Sequence, residues 1–85
     1  MDRRRLAEDR EAKERLVKLL KDSVELDDVV EWLWEDFGIR VSPTWDEVRK
    51  TIISSREVSA RALAVFLVQS GAGHGAVEDA YLGEG

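Results

Sequence analysis

The most apolar stretch of the chain is a run of seven hydrophobic residues, from Ala62 to Val68. On a helical wheel this run has a polar gap only around Ser59, Arg61 and Gln69. A helix that is apolar on nearly every side is normally buried on nearly every side, and a chain of 85 residues has little core with which to surround one. We therefore expect this helix to occupy the centre of the fold or to contact a second chain.

Hydrophobic residues at helical spacing predict another helix over about residues 25–37. They are Leu26, Val29, Val30, Leu33 and Phe37. Trp34 flanks this stripe, and we expect it to pack into the core. Trp32 lies about 120° from the centre of the stripe, so either the N-terminal helix covers it or it is exposed to a partner. The predicted partner interface comprises Trp32, Leu63, Phe66 and Leu67.

Two further helices are predicted, over about residues 2–21 and 44–53. Their apolar stripes comprise Leu16, Val17 and Leu20 in the first helix and Trp45, Val48 and Ile52 in the second. Because the first stripe is complete only toward its end, we expect residues 1–10 to fray. Gly71 is expected to end the apolar helix, and residues 71–85 are predicted to form a flexible, glycine-rich tail, with a short turn of helix over Ala76–Leu82 as the alternative.

Three capping boxes precede predicted helices; in each, an oxygen-bearing side chain is followed three residues later by Glu. They are Asp22–Glu25, Thr44–Glu47 and Ser54–Glu57. The agreement between these start signals and the helical patterns predicts an all-α fold, with residues 1–85 forming a single helical domain.

Composition narrows the classes of function. No run approaches the roughly 20 apolar residues that a membrane span needs, and no secretory signal is visible, so we expect a cytoplasmic protein. The chain has no cysteine, and His74 is its only histidine. Neither a metal site nor a nucleophile–base pair is indicated. We therefore expect a protein that is not an enzyme and that carries no metal and no cofactor.

Charge disfavours nucleic acid as a partner. The formal net charge is −5, and an acidic chain is repelled by a phosphate backbone unless a local basic patch overcomes the field. The helix predicted over residues 25–37 carries acidic side chains along one side, at Asp27, Asp28, Glu31 and Glu35. We interpret them as a solvated face or as a contact for a basic partner.

The segment from Val29 to Ile52 reads as helix, glycine, apolar connector and Thr-capped helix. In this order it resembles helix-turn-helix domains of the transposase and arginine-repressor kinds. The resemblance implies that the second helix of the pair enters the major groove. The four predicted helices together indicate a small four-helix bundle, and the resemblance makes the central pair helix-turn-helix-like. The implied nucleic-acid contacts are Arg40, Thr44, Arg49 and Lys50.

A second segment, Asp22-Ser-Val followed by Val29-Val30, Leu33 and Glu35-Asp-Phe-Gly-Ile, is similar to acyl carrier proteins. There, a serine at the start of a recognition helix carries a phosphopantetheine arm. The resemblance implies that Ser23 is the attachment site. The alternative from the residues themselves is that Ser23 belongs to a helix cap.

Three hypotheses about function follow. The one we favour is a small non-enzymatic interaction module, homodimeric and acting by binding a protein partner. The alternatives are a helix-turn-helix DNA-binding regulator and an acyl-carrier-like protein.

Overall fold

A computed structural model describes the backbone of residues 3–82 and the side chains of residues 9–82. In this range the fold is all-α, as predicted, and forms a compact helical bundle. Of residues 1–10, which were predicted to fray, residues 3–10 have a helical backbone; residues 1–2, and the side chains of residues 3–8, lie outside the described range. The helices of the described range are α1 (Arg3–Ser23), α2 (Leu26–Phe37), α3 (Trp45–Ser54), α4 (Ala60–Gln69) and α5 (His74–Leu82).

Helix α1 is the element around which three other helices pack. It contacts α3, α4 and α5, because its one apolar stripe is wholly enclosed by them. The buried residues of that stripe are Ala12, Leu16, Val17 and Leu20. The apolar run of α4 therefore shares the centre of the bundle with a helix whose remaining faces are charged.

Lys13 ties α1 to the end of α3. Its side chain is only 4% exposed, and its Nζ donates to the carbonyl oxygens of Ile52 at 3.1 Å and Ser55 at 2.9 Å. Asp9, one turn earlier, lies 3.7 Å from the same ammonium group. The last carbonyls of a helix lack partners within it and carry partial negative charge. A buried cation at this position therefore satisfies them.

Two more polar side chains of α1 bind the ends of neighbouring helices. Asp9 Oδ1 accepts from the backbone N–H of Ala60, the first residue of α4, at 3.3 Å. Arg15 Nε donates to the carbonyl oxygen of Ala80, in the last turn of α5, at 2.7 Å. Each charge has the sign that the adjacent helix dipole favours, so the polar face of α1 also orients the bundle.

The predicted start of α3 is confirmed, but that of α4 is wrong. Thr44 caps α3, with its Oγ1 accepting from the N–H of Glu47 at 3.3 Å. The predicted cap of α4 at Ser54 instead lies in the last turn of α3. Ser59 caps α4 and accepts from Ala62 at 3.1 Å, because residues 55–59 form a connector first.

The capping box at the start of α2 is also corrected. Helix α1 continues to Ser23, and Glu25 occupies the N-cap position of α2 without a side-chain hydrogen bond. The other end agrees with the sequence: Gly38 has a positive φ of 67° and its N–H binds the carbonyl oxygen of Trp34 at 2.9 Å. A left-handed residue at this position is what glycine provides.

Residues 74–82 form a helix where the sequence pattern indicated a flexible tail. Helix α5 packs against α1 and α4, and Val77 is 3% exposed. The single apolar anchor explains why periodicity did not reveal this helix: a nine-residue helix has marginal stability alone. Tertiary contacts with α1 and α4 therefore account for its order.

Candidate protein-binding surface

Helix α4 divides its apolar residues between the core and an open side. Leu63 and Leu67 are fully buried within the chain. Their predicted role in a partner interface is therefore corrected: both side chains already pack against the other helices and offer no surface to a partner. The open side lies where the helical wheel placed its polar gap, and Val65 is 48% exposed there.

The open side has the form of a ridge. Arg61, Val65 and Gln69 follow one another at intervals of four residues, and all three line a groove on each side of α4. Residues spaced by four form the natural ridges of a helix surface. We call Arg61, Val65 and Gln69 the α4 ridge.

One of the two grooves lies between α4 and α5. It has a volume of about 560 Å³ and an almost wholly apolar wall. Tyr81 is 36% exposed at its edge and Leu82 is 69% exposed. Besides the α4 ridge, the α4–α5 groove is lined by Ala64, Val68, His74, Val77, Glu78, Tyr81 and Leu82. Exposed large apolar residues grouped in one groove are typical of a docking surface.

The second groove lies between α2 and α4 and has a volume of about 380 Å³. Here Trp32 stacks on Phe66, with ring centroids 4.3 Å apart and planes 14° apart. Phe37 meets the edge of the Trp32 ring at 5.3 Å. Trp32 is thus covered by α4, whereas the sequence suggested either the N-terminal helix or open solvent. Both Trp32 and Phe66 remain partly exposed in the groove.

Trp34 takes the exposed position in place of Trp32. It is 49% exposed, which corrects its predicted packing into the core. The guanidinium carbon of Arg40 lies 4.9 Å from the centre of the Trp34 ring, within the range of a cation–π interaction. The connector after α2 therefore folds back over the tryptophan and shields part of it.

Most of the residues implied as nucleic-acid contacts are engaged within the protein. Arg49 Nη2 lies 3.2 Å from Glu14 Oε1, and Arg40 lies over Trp34. Thr44 caps α3. Lys50 is exposed, but the first turn of α3 carries two acidic residues, which would face the phosphates of a bound duplex.

Ser23 does not stand where an acyl-carrier serine would. It is the last residue of α1 and lies three positions before α2 begins. In the similar family the modified serine begins the recognition helix. The geometry gives no support to phosphopantetheine attachment at Ser23.

The described residues assemble no metal site. No group of three or more His, Asp or Glu side chains among them has the arrangement to hold a metal ion. His74 is exposed at the start of α5. Across residues 3–82, no helix combines the length and hydrophobicity that crossing a membrane requires.

Comparisons of the chain with protein-family models, with curated proteins and with solved structures found no match. The candidate site is therefore inferred from the geometry of this chain alone. Of the predicted interface residues, Trp32 and Phe66 lie beside the α4 ridge. Val65, Tyr81 and Leu82 were missed. The sequence did contain a signal that Val65 is exposed, because Val65 lies midway between the polar residues Arg61 and Gln69 on the same side of the helix.

Proposed function

We propose that this chain is a non-enzymatic protein-interaction module whose binding surface is the α4 ridge and the α4–α5 groove. The observation that carries the proposal is the grouping of Val65, Tyr81 and Leu82, each at least 36% exposed, around one apolar groove. Exposing this area to water is unfavourable by about 25 cal/mol per Å². A partner that covers it would recover that free energy.

The shape of the surface indicates the form of the ligand. The groove lies between α4, of ten residues, and α5, of nine. At a rise of about 1.5 Å per residue, a groove along these helices is about 15 Å long. An amphipathic helix presenting two or three apolar anchors along one side fits a groove of this length. The apolar lining supplies affinity, and Arg61 with Glu78 supplies polar contacts at the margin.

A photo-crosslinking amino acid placed at position 65 tests this proposal in the cells that produce the chain. We expect a covalent adduct with a discrete protein partner, identified by mass spectrometry. The same amino acid at Glu47, an exposed position on α3, is the control and should give no such adduct.

The identified partner is then purified and titrated against the wild-type chain. We expect Val65→Asp to weaken binding at least tenfold, because it buries a charge in an apolar contact. Equal crosslinking from positions 65 and 47, or unchanged affinity with Val65→Asp, contradicts the proposal.

A further inference from the structure

We infer that a groove beside α2 binds an extended segment of a protein partner in which basic and apolar residues alternate. The groove has a volume of about 390 Å³ and lies between α2 and residues 39–41 of the connector that follows it. We call it the α2–connector groove. No described residue lines both this groove and the α4–α5 groove, so the inference goes beyond the proposed function and does not depend on it.

Four apolar side chains line the α2–connector groove. Val30, Ile39 and Val41 are partly buried against the core, whereas Trp34 is 49% exposed. The guanidinium carbon of Arg40 lies 4.9 Å from the centre of the Trp34 ring, so this ring already holds a group of the kind that an arginine of a partner would bring. Apolar side chains of the partner would gain free energy by covering the rest of this lining.

An acidic stripe runs along one margin of the groove. It comprises Asp27, Glu31 and Glu35, which follow one another at intervals of four residues and are all exposed. Asp27 and Glu31 also line the groove itself. Helix α2 carries five acidic residues and no basic one, and among the described residues none of the five belongs to an ion pair. The charge of the stripe is therefore left for another molecule to balance.

The acidic stripe is unfavourable in the free chain. Like charges four residues apart on a helix repel each other. Glu35 also stands in the last turn of α2, where the helix dipole disfavours an anion. Positive charges placed along the stripe would relieve both effects. The α2–connector groove therefore matches a cationic partner, by contrast with the α4–α5 groove, whose lining has one cation and one anion besides His74.

The spacing of the stripe indicates that the partner segment is extended. Four residues of a helix rise about 6 Å, and two residues of an extended chain span about 6.6 Å. Basic side chains at every second position therefore come opposite Asp27, Glu31 and Glu35 in turn. The intervening side chains point to the other side of the segment, toward Trp34, so apolar residues belong there. A small polyamine has none and would leave the apolar lining uncovered.

Nuclear magnetic resonance of the ¹⁵N-labelled full chain tests the inference. The probe is the acetylated peptide Arg-Leu-Arg-Leu-Arg, titrated to about 2 mM at low salt to cover weak affinities. We expect saturable shifts of the Trp34 indole N–H signal and of the backbone amides of residues 27–41. The affinity should fall at least fivefold in about 0.5 M salt. No shifts, or shifts spread evenly over the exposed acidic residues of all helices, overturn the inference.

Two charge reversals form a matched pair. Glu31→Lys and Glu78→Lys change the net charge equally at exposed positions, but only Glu31 lines the α2–connector groove. We expect Glu31→Lys to weaken probe binding at least tenfold and Glu78→Lys less than threefold. Glu31→Lys should also raise the midpoint of thermal unfolding by about 1–5 °C, because attraction replaces repulsion along α2. Equal weakening by the two variants would mean that the peptide responds only to net charge, and it overturns the inference.

The apolar half of the inference is tested with altered ligands. A peptide with glycine in place of leucine should bind at least fivefold more weakly than the probe. Trp34→Ala, checked for folding by circular dichroism, should weaken the probe by a similar factor. Equal affinity of the two peptides, or spermine binding as tightly as the probe, overturns the inference. Val65→Asp, which tests the proposed function, should leave probe binding within threefold of wild type, so the two proposals fail separately.

Discussion

Helix α1 carries charged side chains along most of its length, whereas α4 is apolar at nearly every position. Hydropathy alone would make α4 the central helix, yet α1 shares that place with it. Three helices enclose the apolar stripe of α1, and its polar side chains bind the ends of α3, α4 and α5. Helix α4 leaves Val65 half exposed between two grooves.

The burial of a side chain in α1 or α4 therefore depends on the direction of the helix face that carries it, and not on the average composition of the helix. One complete apolar stripe, together with polar side chains that bind the ends of α3, α4 and α5, suffices to make α1 the helix around which the others pack. The apolar residues of α4 exceed what α1, α2 and α5 cover, and the excess forms a surface. Substitutions on the two helices therefore test how burial differs between their faces.

The largest effects are expected in the shared core. Leu16→Ala in α1 and Leu63→Ala in α4 should each lower the free energy of unfolding by about 2–5 kcal/mol, because both side chains are fully buried. Val65→Ala should cost less than about 0.5 kcal/mol. Urea unfolding followed by circular dichroism, at a concentration that keeps the chain monomeric, measures all three. A loss at Val65 equal to that at Leu63 would mean that the open side of α4 is core.

The next effect concerns the buried ammonium of α1. Lys13→Met keeps the aliphatic stem but leaves the carbonyl oxygens of Ile52 and Ser55 without their donor. We expect a loss of about 1–3 kcal/mol. Lys18→Met, at an exposed position of the same helix, is the control and should stay within about 0.5 kcal/mol of wild type. Equal effects of the two variants in urea unfolding would show that Lys13 has no special role.

A smaller effect distinguishes the observed cap of α4 from the one that the sequence indicated. Ser59→Ala removes the acceptor for the N–H of Ala62 and should cost about 1 kcal/mol. Ser54→Ala removes a hydroxyl that donates to the carbonyl of Lys50 at an exposed site and should cost a few tenths. Thermal unfolding of both variants ranks the two losses of stability. A larger loss for Ser54→Ala than for Ser59→Ala would place the start of α4 at Ser54.

The smallest effect is expected at the exposed ion pair between α1 and α3. Glu14→Gln should lower stability by about 0.2–1 kcal/mol, because both partners remain roughly half exposed. The loss should disappear in about 1 M salt, where the Debye length falls to about 3 Å. A loss that persists at high salt would indicate packing in place of charge.

Much of the secondary structure was predictable because its signals are local. The apolar stripes of α2 and α3, the Thr44 cap and the glycine after α2 lie within one or two turns of the residues they affect. The open side of α4 was not located in advance, because Leu63 and Leu67 were predicted at the interface and both are fully buried. Helix α5 was left undecided between a short helical turn and a loose tail, because one buried valine gives no periodic pattern.

The partners of individual side chains were not predictable. Lys13 donates hydrogen bonds to carbonyl oxygens 39 and 42 positions away in the chain, and Arg15 donates to one 65 positions away. Trp32 and Trp34 differ in exposure only because α4 lies over one and the connector after α2 lies over the other. No local pattern encodes which helix arrives at which face.

Local sequence signals are enough to predict an all-α fold, the excess of apolar residues on α4 and the position of its polar gap. These properties follow from periodicity and capping over short spans. Three features depend on tertiary contacts. Leu63 and Leu67 are buried in the core, three helices pack around α1, and α5 completes an apolar groove. The physical reason is that burial is a property of the assembled faces, set by contacts between residues far apart in the chain.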